Sequence, residues 1–179
     1  MLLQILLLIF PWSIRKRILQ RFCNFEIGNN NRITGFSVES PTVKLYGHFL
    51  HIINRKCELV IGDNVGITSN HYFDCNGGIY VDDYAEIAGL DSIFMTHSID
   101  LKECRQDAEA IHIGKYSFVG ARVTMLKGSS VGHCCIIAAG AVVDKEFNEN
   151  YRLIGGVPAH DIKSVEGYKF FERREAYVR

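Results

Sequence analysis

His97 occupies a position at which a side chain could act as a general base. It stands between Thr96 and Ser98, where a regular repetitive stretch gives way to a polar segment. Histidine titrates nearest physiological pH, so a fixed imidazole can take the proton of a hydroxyl group and make its oxygen a nucleophile. Such a base typically contributes about 10²–10⁴ in rate. The alternative is an ordinary surface histidine at a corner of the fold, and the surrounding sequence favours the base.

A six-residue repeat predicts the elements that position His97. An α-helix repeats near 3.6 residues and a strand at 2, whereas a period of six is typical of a parallel β-helix, in which each hexad forms one short strand and one corner. An aliphatic residue followed by a second, usually small, residue recurs in the pairs Ile113-Gly114, Val119-Gly120, Met125-Leu126, Val131-Gly132, Ile137-Ala138 and Val143-Asp144. Less regular hexads upstream begin at Ile27, Ile33, Ile61, Ile67, Phe73, Val81, Ile87 and Ile93.

The segment 98–112 breaks this repeat and carries several charged side chains. A loop extruded from a regular solenoid is usually functional, because the scaffold itself does not require it. If the loop is discounted, a coil of about eighteen residues places Met125 over Ile93. Gly128 and Ser129 then lie over Thr96 and His97, and Asn76 lies beneath them. We therefore expect Asn76 to orient the imidazole through its other nitrogen or to hold the acceptor.

Composition indicates one domain and excludes one class of partner. The chain has 179 residues, 47% of them hydrophobic, with 20 basic and 20 acidic side chains. Without a basic excess we expect no nucleic acid partner. The six cysteines form no CxxC pair and no metal-ligand spacing, which favours free thiols in a reducing compartment. We therefore predict a cytoplasmic protein without a bound metal.

The two ends of the chain predict helices outside a central 27–163 solenoid. Residues 1–10 are strongly apolar but too few to cross a bilayer, and a basic cluster follows them at 15–21. Residues 1–26 thus predict an amphipathic helix, and two roles for it stay open. It caps the solenoid, or residues 1–22 rest on the inner face of an anionic membrane. Residues 164–179 predict a second, capping helix with Val165, Tyr168 and Phe171 inward.

The sequence resembles the hexapeptide-repeat acyltransferases over about residues 27–163. The hexads, Thr96-His97-Ser98 before the extruded loop, the segment 138–143 (AAGAVV) and the segment 155–159 (GGVPA) carry the resemblance. Within the family, the segments 87–100 and 111–132 look like those of O-acetyltransferases of bacterial surface polysaccharides. The resemblance implies a left-handed parallel β-helix and a homotrimer with sites between subunits. It also implies transfer of an acetyl group from acetyl-CoA to a sugar hydroxyl.

The resemblance also assigns a donor site. Pantetheine is long and thin and must lie close to the backbone, and the family places a GGVPA-like segment over coenzyme A. The residues implied are Ala139, Gly140, Ala141, Gly155, Gly156, Pro158, Ala159 and Lys163. The corners of a β-helix also require small residues, and this requirement explains part of the small-residue pattern without a ligand. His160 replaces the family's usual basic residue, and the alternative basic partners for the phosphates are Lys127, Lys145 and Arg152.

The partner of His97 stays open on the sequence alone. Galactoside- and maltose-type relatives carry an upstream asparagine, whereas this chain has Thr68-Ser69 near the matching place. Asn70 and Asn76 are the nearest substitutes, and Asp74 and Asp91 are further candidates. Each of the four is also explained as a corner or turn residue.

Two other functions compete with the transferase. A zinc enzyme of the γ-carbonic-anhydrase type shares the fold, but it needs converging histidines, and His97, His112 and His133 lie 15 and 21 residues apart. A catalytically silent β-helix scaffold is the other alternative, and the intact His97 weighs against it.

Overall fold

The computed structural model describes residues 11–22, 25–33, 36–39 and 58–175. The apolar run 1–10 therefore lies outside the described residues, as do 23–24 and 176–179. Helix α1 spans Trp12–Phe22, within the predicted N-terminal helix. The Lys16 ammonium donates to the carbonyl of Gly28 at 2.5 Å, so α1 rests on the first coil. Within the described residues, the helices are too short and too polar to cross a membrane.

From Phe25 to Gly156 the described chain winds through three parallel sheets in turn. Sheet A contains β1 (Phe25–Ile27), β4 (Leu59–Ile61), β7 (Ile79–Val81), β12 (Ile111–Ile113), β15 (Ser130–Val131) and β18 (Glu146–Phe147). Sheet B contains β2 (Arg32–Ile33), β5 (Gly66–Ser69), β8 (Glu86–Leu90), β13 (Phe118–Val119), β16 (Ile136–Ile137), β19 (Arg152–Gly156) and an antiparallel last strand, β20 (Ala159–Ser164). Sheet C contains β3 (Phe36–Glu39), β6 (His71–Asp74), β9 (Ile93–Met95), β14 (Thr124–Leu126) and β17 (Val142–Val143).

The hexads supply the core of this parallel β-helix. The leading residues of the regular hexads are all at most 3% exposed: Ile113, Val119, Met125, Val131, Ile137 and Val143. Each fully buried aliphatic side chain contributes about 1.5–3 kcal/mol relative to its exposed state. Phe73 and Phe94 stack inside the prism with ring centroids 4.6 Å apart. The predicted all-β solenoid is confirmed.

The predicted coil register is wrong by one residue in sheet C. Met125 pairs with Phe94, not with Ile93, and Ile93 is 40% exposed whereas Phe94 is fully buried. The corner before β9 contains Asp91 at φ 60° and the buried Ser92, and this wider turn moves the inward position from Ile93 to Phe94. Since Leu126 pairs with Met95, the residue level with His97 in the following coil is Gly128 rather than Ser129.

The extruded segment is an antiparallel hairpin rather than an irregular loop. It consists of β10 (His97–Asp100) and β11 (Arg105–Ala108), and His97 itself is its first residue, paired with Ala108. The coil resumes at Ile111, so the predicted loop boundary at 112 is two residues too late.

The C-terminal segment folds back over sheet B. The described part of the predicted 164–179 helix contains only a four-residue 3-10 helix, Lys169–Glu172. Val165 and Phe171 are buried against Cys134, as the predicted inward face requires, while Tyr168 is 43% exposed. Gly167 at φ 82° interrupts the segment, which explains why a continuous helix does not form.

Candidate active site

The site lies at the edge of the prism where sheet C turns into sheet A. We call this edge the C/A edge; it contains the corner 75–78, the hairpin 97–108 and the corner 127–129. Successive parallel strands in sheet C bring Asp74 level with Met95 and Leu126. The side chains that follow these strands therefore stack along one edge. His97 lies two residues beyond the end of β9, and its side chain is 22% exposed.

Asp74 is the residue that holds the imidazole of His97. Its Oδ2 lies 2.5 Å from Nδ1 of His97, and the Asp74 side chain is completely buried. A carboxylate oxygen accepts, so Nδ1 carries the hydrogen and the lone pair of the neutral ring is on Nε2. The arrangement sets one tautomer of the ring. It leaves Nε2 as the nitrogen able to take a proton.

Backbone and side-chain donors fix Asp74 in turn. The backbone N–H groups of Thr96 and His97 both donate to Oδ2 at 3.0 Å. The Thr96 hydroxyl donates to the Asp74 carbonyl at 2.5 Å and accepts from the Gly77 N–H at 2.8 Å. Because hydrogen bonds run in both directions between the neighbouring coils, the Asp74 carboxylate has one orientation. The orientation of the His97 imidazole is restricted in turn.

Asn76 contributes through the carboxylate. Its side-chain Nδ2 donates to Oδ1 of Asp74 and lies 3.1 Å from Nδ1 of His97. Since Nδ1 already bears a hydrogen, two donors face each other there, and Asn76 acts on the ring through Asp74. Asn76, one of the residues that the sequence suggested as a partner of His97, thus lies beside the ring, and the short contact with Nδ1 is that of Asp74.

The other two candidate partners lie elsewhere in the chain. Asn70 precedes β6 and Asp91 precedes β9, so both stand at the opposite edge of sheet C, the B/C edge. Asp91 lies 3.9 Å from Arg122 across that corner. Neither residue contacts His97 of the same chain.

The predicted donor residues divide by exposure. Ala139 and Gly140 are exposed at the B/C edge, and a Cβ on Gly140 would meet no described atom within 4 Å. Ala141 and Ala159 are 1% and 2% exposed, and their side chains belong to the core instead. Gly155 is also buried, whereas Gly156, Pro158 and Lys163 are exposed on the terminal hairpin of β19 and β20. The backbone of this hairpin and the open corner at Gly140 remain compatible with a thin ligand.

The alternative phosphate partners have other contacts. Arg152 pairs with Asp161 at 2.6 Å, and the Lys145 ammonium lies 5.4 Å from the ring of Phe147. Lys127 binds Asp107 of the hairpin and lies 3.8 Å from Glu109. The hydrogen bond to Asp107 raises the pKa of Lys127.

Two features near these residues were not predicted from the sequence. The first is the Lys127–Asp107 pair, which depends on the path of the extruded segment. The second is His71, which is 1% exposed and held by the Thr68 hydroxyl at 3.0 Å and the Ser92 N–H at 3.2 Å. Burial lowers the pKa of His71, and Asp91 opposes this only in part. The sequence signal for a buried His71 was its place two residues before Phe73, on the inward face of a short strand.

The described residues hold no group of three or more histidine, cysteine, aspartate or glutamate side chains able to bind a metal ion. The pair of His97 and Asp74 is instead an arrangement for proton transfer.

Comparison with known proteins identifies the fold. The chain is 29% identical over 116 residues to the galactoside O-acetyltransferase of Escherichia coli, covering 58% of this chain and 56% of that protein. A Vibrio cholerae hexapeptide-repeat acetyltransferase solved with acetyl-CoA superimposes with a TM-score of 0.68 at 21% identity, covering 88% of this chain and 79% of that one. The fold is that of the hexapeptide-repeat acetyltransferases. The predicted resemblance and the left-handed parallel β-helix are thus confirmed.

A maltose O-acetyltransferase from Clostridium difficile agrees, with a TM-score of 0.70 at 19% identity over 92% of this chain and 83% of that one. At these identities the solved structures establish the fold. No protein-family model matches the chain. The chain spans between 55% and 63% of the length of the curated relatives it matches.

Proposed function

We propose that the protein is an acetyl-CoA-dependent O-acetyltransferase that acts on a sugar hydroxyl in bacterial surface polysaccharide biosynthesis. The single observation that supports this most is the buried Asp74 carboxylate 2.5 Å from Nδ1 of His97 at the mouth of the hairpin. A histidine fixed in this way serves as a base through Nε2. The sugar and galactoside acetyltransferases among the relatives support the acceptor class.

In the proposed reaction, Nε2 of His97 takes the proton of the acceptor hydroxyl as its oxygen attacks the thioester carbonyl. Backbone N–H groups from a neighbouring strand or subunit stabilise the oxyanion of the tetrahedral intermediate. The intermediate collapses with cleavage of the carbon–sulfur bond. The proton held on His97 passes to the departing thiolate, and the neutral imidazole is restored. Asp74 remains ionised and stabilises the imidazolium between the two transfers.

The placement of the donor residues supports a homotrimer with its sites between subunits. Gly140 stands at the B/C edge and His97 at the C/A edge of the same chain. Sheet C separates them by a strand of three residues, or about 10 Å of extended chain. The outer face of this sheet exposes Ile93 at 40% and Leu126 at 36%. These exposed apolar residues lie between the predicted donor corner at Gly140 and the base His97, and they favour packing of a second copy of the chain on this face. The second copy would bring its own Gly140 corner to His97.

Location at the inner face of an anionic membrane is the last element of the proposal. Helix α1 uses Lys16 to hold the first coil, and its Arg17 and Arg21 remain exposed beside Ile14, which is 42% exposed. This arrangement lets one helix both cap the solenoid and present basic side chains to lipid headgroups. An enzyme at that surface would meet lipid-linked sugar acceptors.

The test is an acetyl-transfer assay with purified protein, acetyl-CoA and a panel of free, nucleotide-linked and lipid-linked sugars. We expect turnover on one acceptor class and a loss of about 10²–10⁴ in His97→Ala. The matched control is His112→Gln, an exposed histidine stacked on Tyr80 on the outer face of sheet A. Near-normal turnover of His97→Ala would remove the assignment of the base. Absence of transfer to every sugar would favour the scaffold alternative.

A further inference from the structure

The hairpin that carries His97 has two different faces. Cross-strand partners project to the same face, and residues alternate along each strand. Ser98 therefore shares a face with its partner Asp107, and Asp100 lies on that face too. The opposite face carries His97, followed by Ile99 and its partner Gln106. His97 turns toward Asp74 in the preceding coil, whereas Asp107 turns toward Lys127 in the following coil.

The hairpin is internally stiff but attached to the solenoid through a narrow root. The Asp100 carboxylate accepts from the N–H groups of Lys102 and Glu103 at 3.0 and 3.1 Å, which closes the tip. The Glu109 N–H donates to the Thr96 carbonyl at 2.9 Å and closes the root. A two-stranded hairpin alone is marginally stable in water. Its direction relative to the coils therefore depends on contacts outside the ladder.

Lys127 supplies such a contact on the face opposite the base. Its ammonium binds the Asp107 carboxylate, and the two side chains are only 26% and 21% exposed. Glu109 lies 3.8 Å from the same ammonium. Gly128 follows at φ 72°, and a Cβ there would meet the Glu109 carboxylate. The corner 127–128 thus accommodates the root of the hairpin and binds one of its strands.

We propose that Lys127 is a positioning residue whose ion pair with Asp107 holds the hairpin, and with it His97, in the geometry that receives the acceptor. This inference rests on the function proposed above. It assigns Ile99 and Gln106, on the same face as His97, to the acceptor side of the site. Lys127 then acts on the acceptor through the hairpin and does not bind the phosphates of coenzyme A.

Steady-state kinetics with both substrates test this role. In Lys127→Met we expect kcat/KM for the sugar acceptor to fall by about tenfold to a hundredfold, because small displacements of a base are costly. The KM for acetyl-CoA should stay within about twofold. Lys127→Arg should recover most of the loss, since guanidinium still reaches a carboxylate. Asp107→Asn should match Lys127→Met, and the double variant should be no worse than either.

The matched control is Lys115→Met, which removes a lysine–aspartate pair of greater exposure, with Asp83 (3.4 Å), at the A/B edge, between sheets A and B. It should change neither substrate's kinetics. A second readout needs no turnover: amide exchange in segment 98–107 should accelerate about tenfold or more in Lys127→Met and not in Lys115→Met. A raised KM for acetyl-CoA in Lys127→Met, or unchanged acceptor kinetics and unchanged exchange, would overturn the proposal. If His97→Ala is fully active, the proposed function fails, whatever the exchange of the hairpin shows.

Discussion

Asp74 and His97 are 23 residues apart in the chain, yet their side chains meet at 2.5 Å because Asp74 ends β6 and His97 lies just beyond β9, the neighbouring strand of sheet C in the next coil. The contact converts a corner of a structural repeat into a base with a defined tautomer. The carboxylate also accepts the backbone N–H groups of Thr96 and His97, so the same group orients both the ring and the strand end that carries it.

Asp74→Asn should therefore abolish most of the activity without loss of the fold. An amide placed among these donors keeps the shape of the side chain but no longer accepts reliably from Nδ1, so the ring loses its preferred tautomer. We expect kcat to fall by about 10²–10⁴. The KM for acetyl-CoA and the circular dichroism spectrum should remain close to those of the wild type. Asn76→Ala, which removes only a donor to the carboxylate, should cost less, and the reverse order of effects would argue against Asp74 as the principal partner.

The hexads allowed the fold to be predicted because each six-residue unit forms one strand and one corner and buries one aliphatic side chain inside the narrow prism. Asp74 and Asn76 could be proposed beside His97 for the same reason. The sequence could not show that Asp74, rather than Asn76, makes the direct contact with His97. A shift of one residue exchanges the inward and outward positions of a strand, and the sequence does not reveal such a shift. The turn at Asp91 and Ser92 introduced such a shift, making Phe94 rather than Ile93 the core residue. The Lys127–Asp107 pair depends on the direction of a hairpin that interrupts the repeat, and periodicity carries no information there.

Gly140 provides a test of the predicted donor groove. Its φ of 74° is a conformation that asparagine tolerates better than most residues, and the space beyond it is open. Gly140→Asn should therefore fold normally but obstruct a thin ligand, and raise the KM for acetyl-CoA by about tenfold. Gly167→Asn is the matched control, because Gly167 has a φ of 82° and equally open surroundings in the C-terminal segment. Equal KM values for the two variants would place the donor elsewhere.

The homotrimer should depend on the outer face of sheet C. Carboxylates introduced by Ile93→Asp and Leu126→Asp would be buried between subunits without partners, and this is costly. Light scattering should show three chains per particle for the wild type and a single chain for the double variant, with loss of transfer. Ile14→Asp changes an apolar residue of similar exposure on α1 and should remain trimeric. An active monomeric double variant would defeat the model of sites between subunits.

Binding to anionic vesicles should depend on α1. Removal of two exposed charges in Arg17→Gln/Arg21→Gln should weaken co-sedimentation with phosphatidylserine vesicles by about thirtyfold, since each basic residue near the surface contributes about 1 kcal/mol. The binding should also weaken as salt rises, because exposed charges are screened over about 8–10 Å at physiological ionic strength. Lys169→Gln/Arg174→Gln removes the same charge from the exposed C-terminal segment and should bind normally. Wild-type protein that ignores such vesicles at low salt would leave α1 as a cap alone.

His71 should make the stability of the fold depend on pH. Its Nδ1 accepts the Ser92 N–H at 3.2 Å, so the folded state requires a neutral ring, and burial lowers the pKa of His71 accordingly. The unfolded chain binds a proton below about pH 6.5, whereas the folded chain does not until the pH reaches the lowered value. This contribution to the free energy of unfolding is therefore complete above about pH 6.5 and is lost as the pH falls, by at most about 1.4 kcal/mol per unit. Denaturant titrations at pH 7.5 and 5.5 should show a smaller difference in His71→Gln than in the wild type, even though the variant is less stable at pH 7.5. An unchanged difference in His71→Gln would assign the pH dependence to other groups.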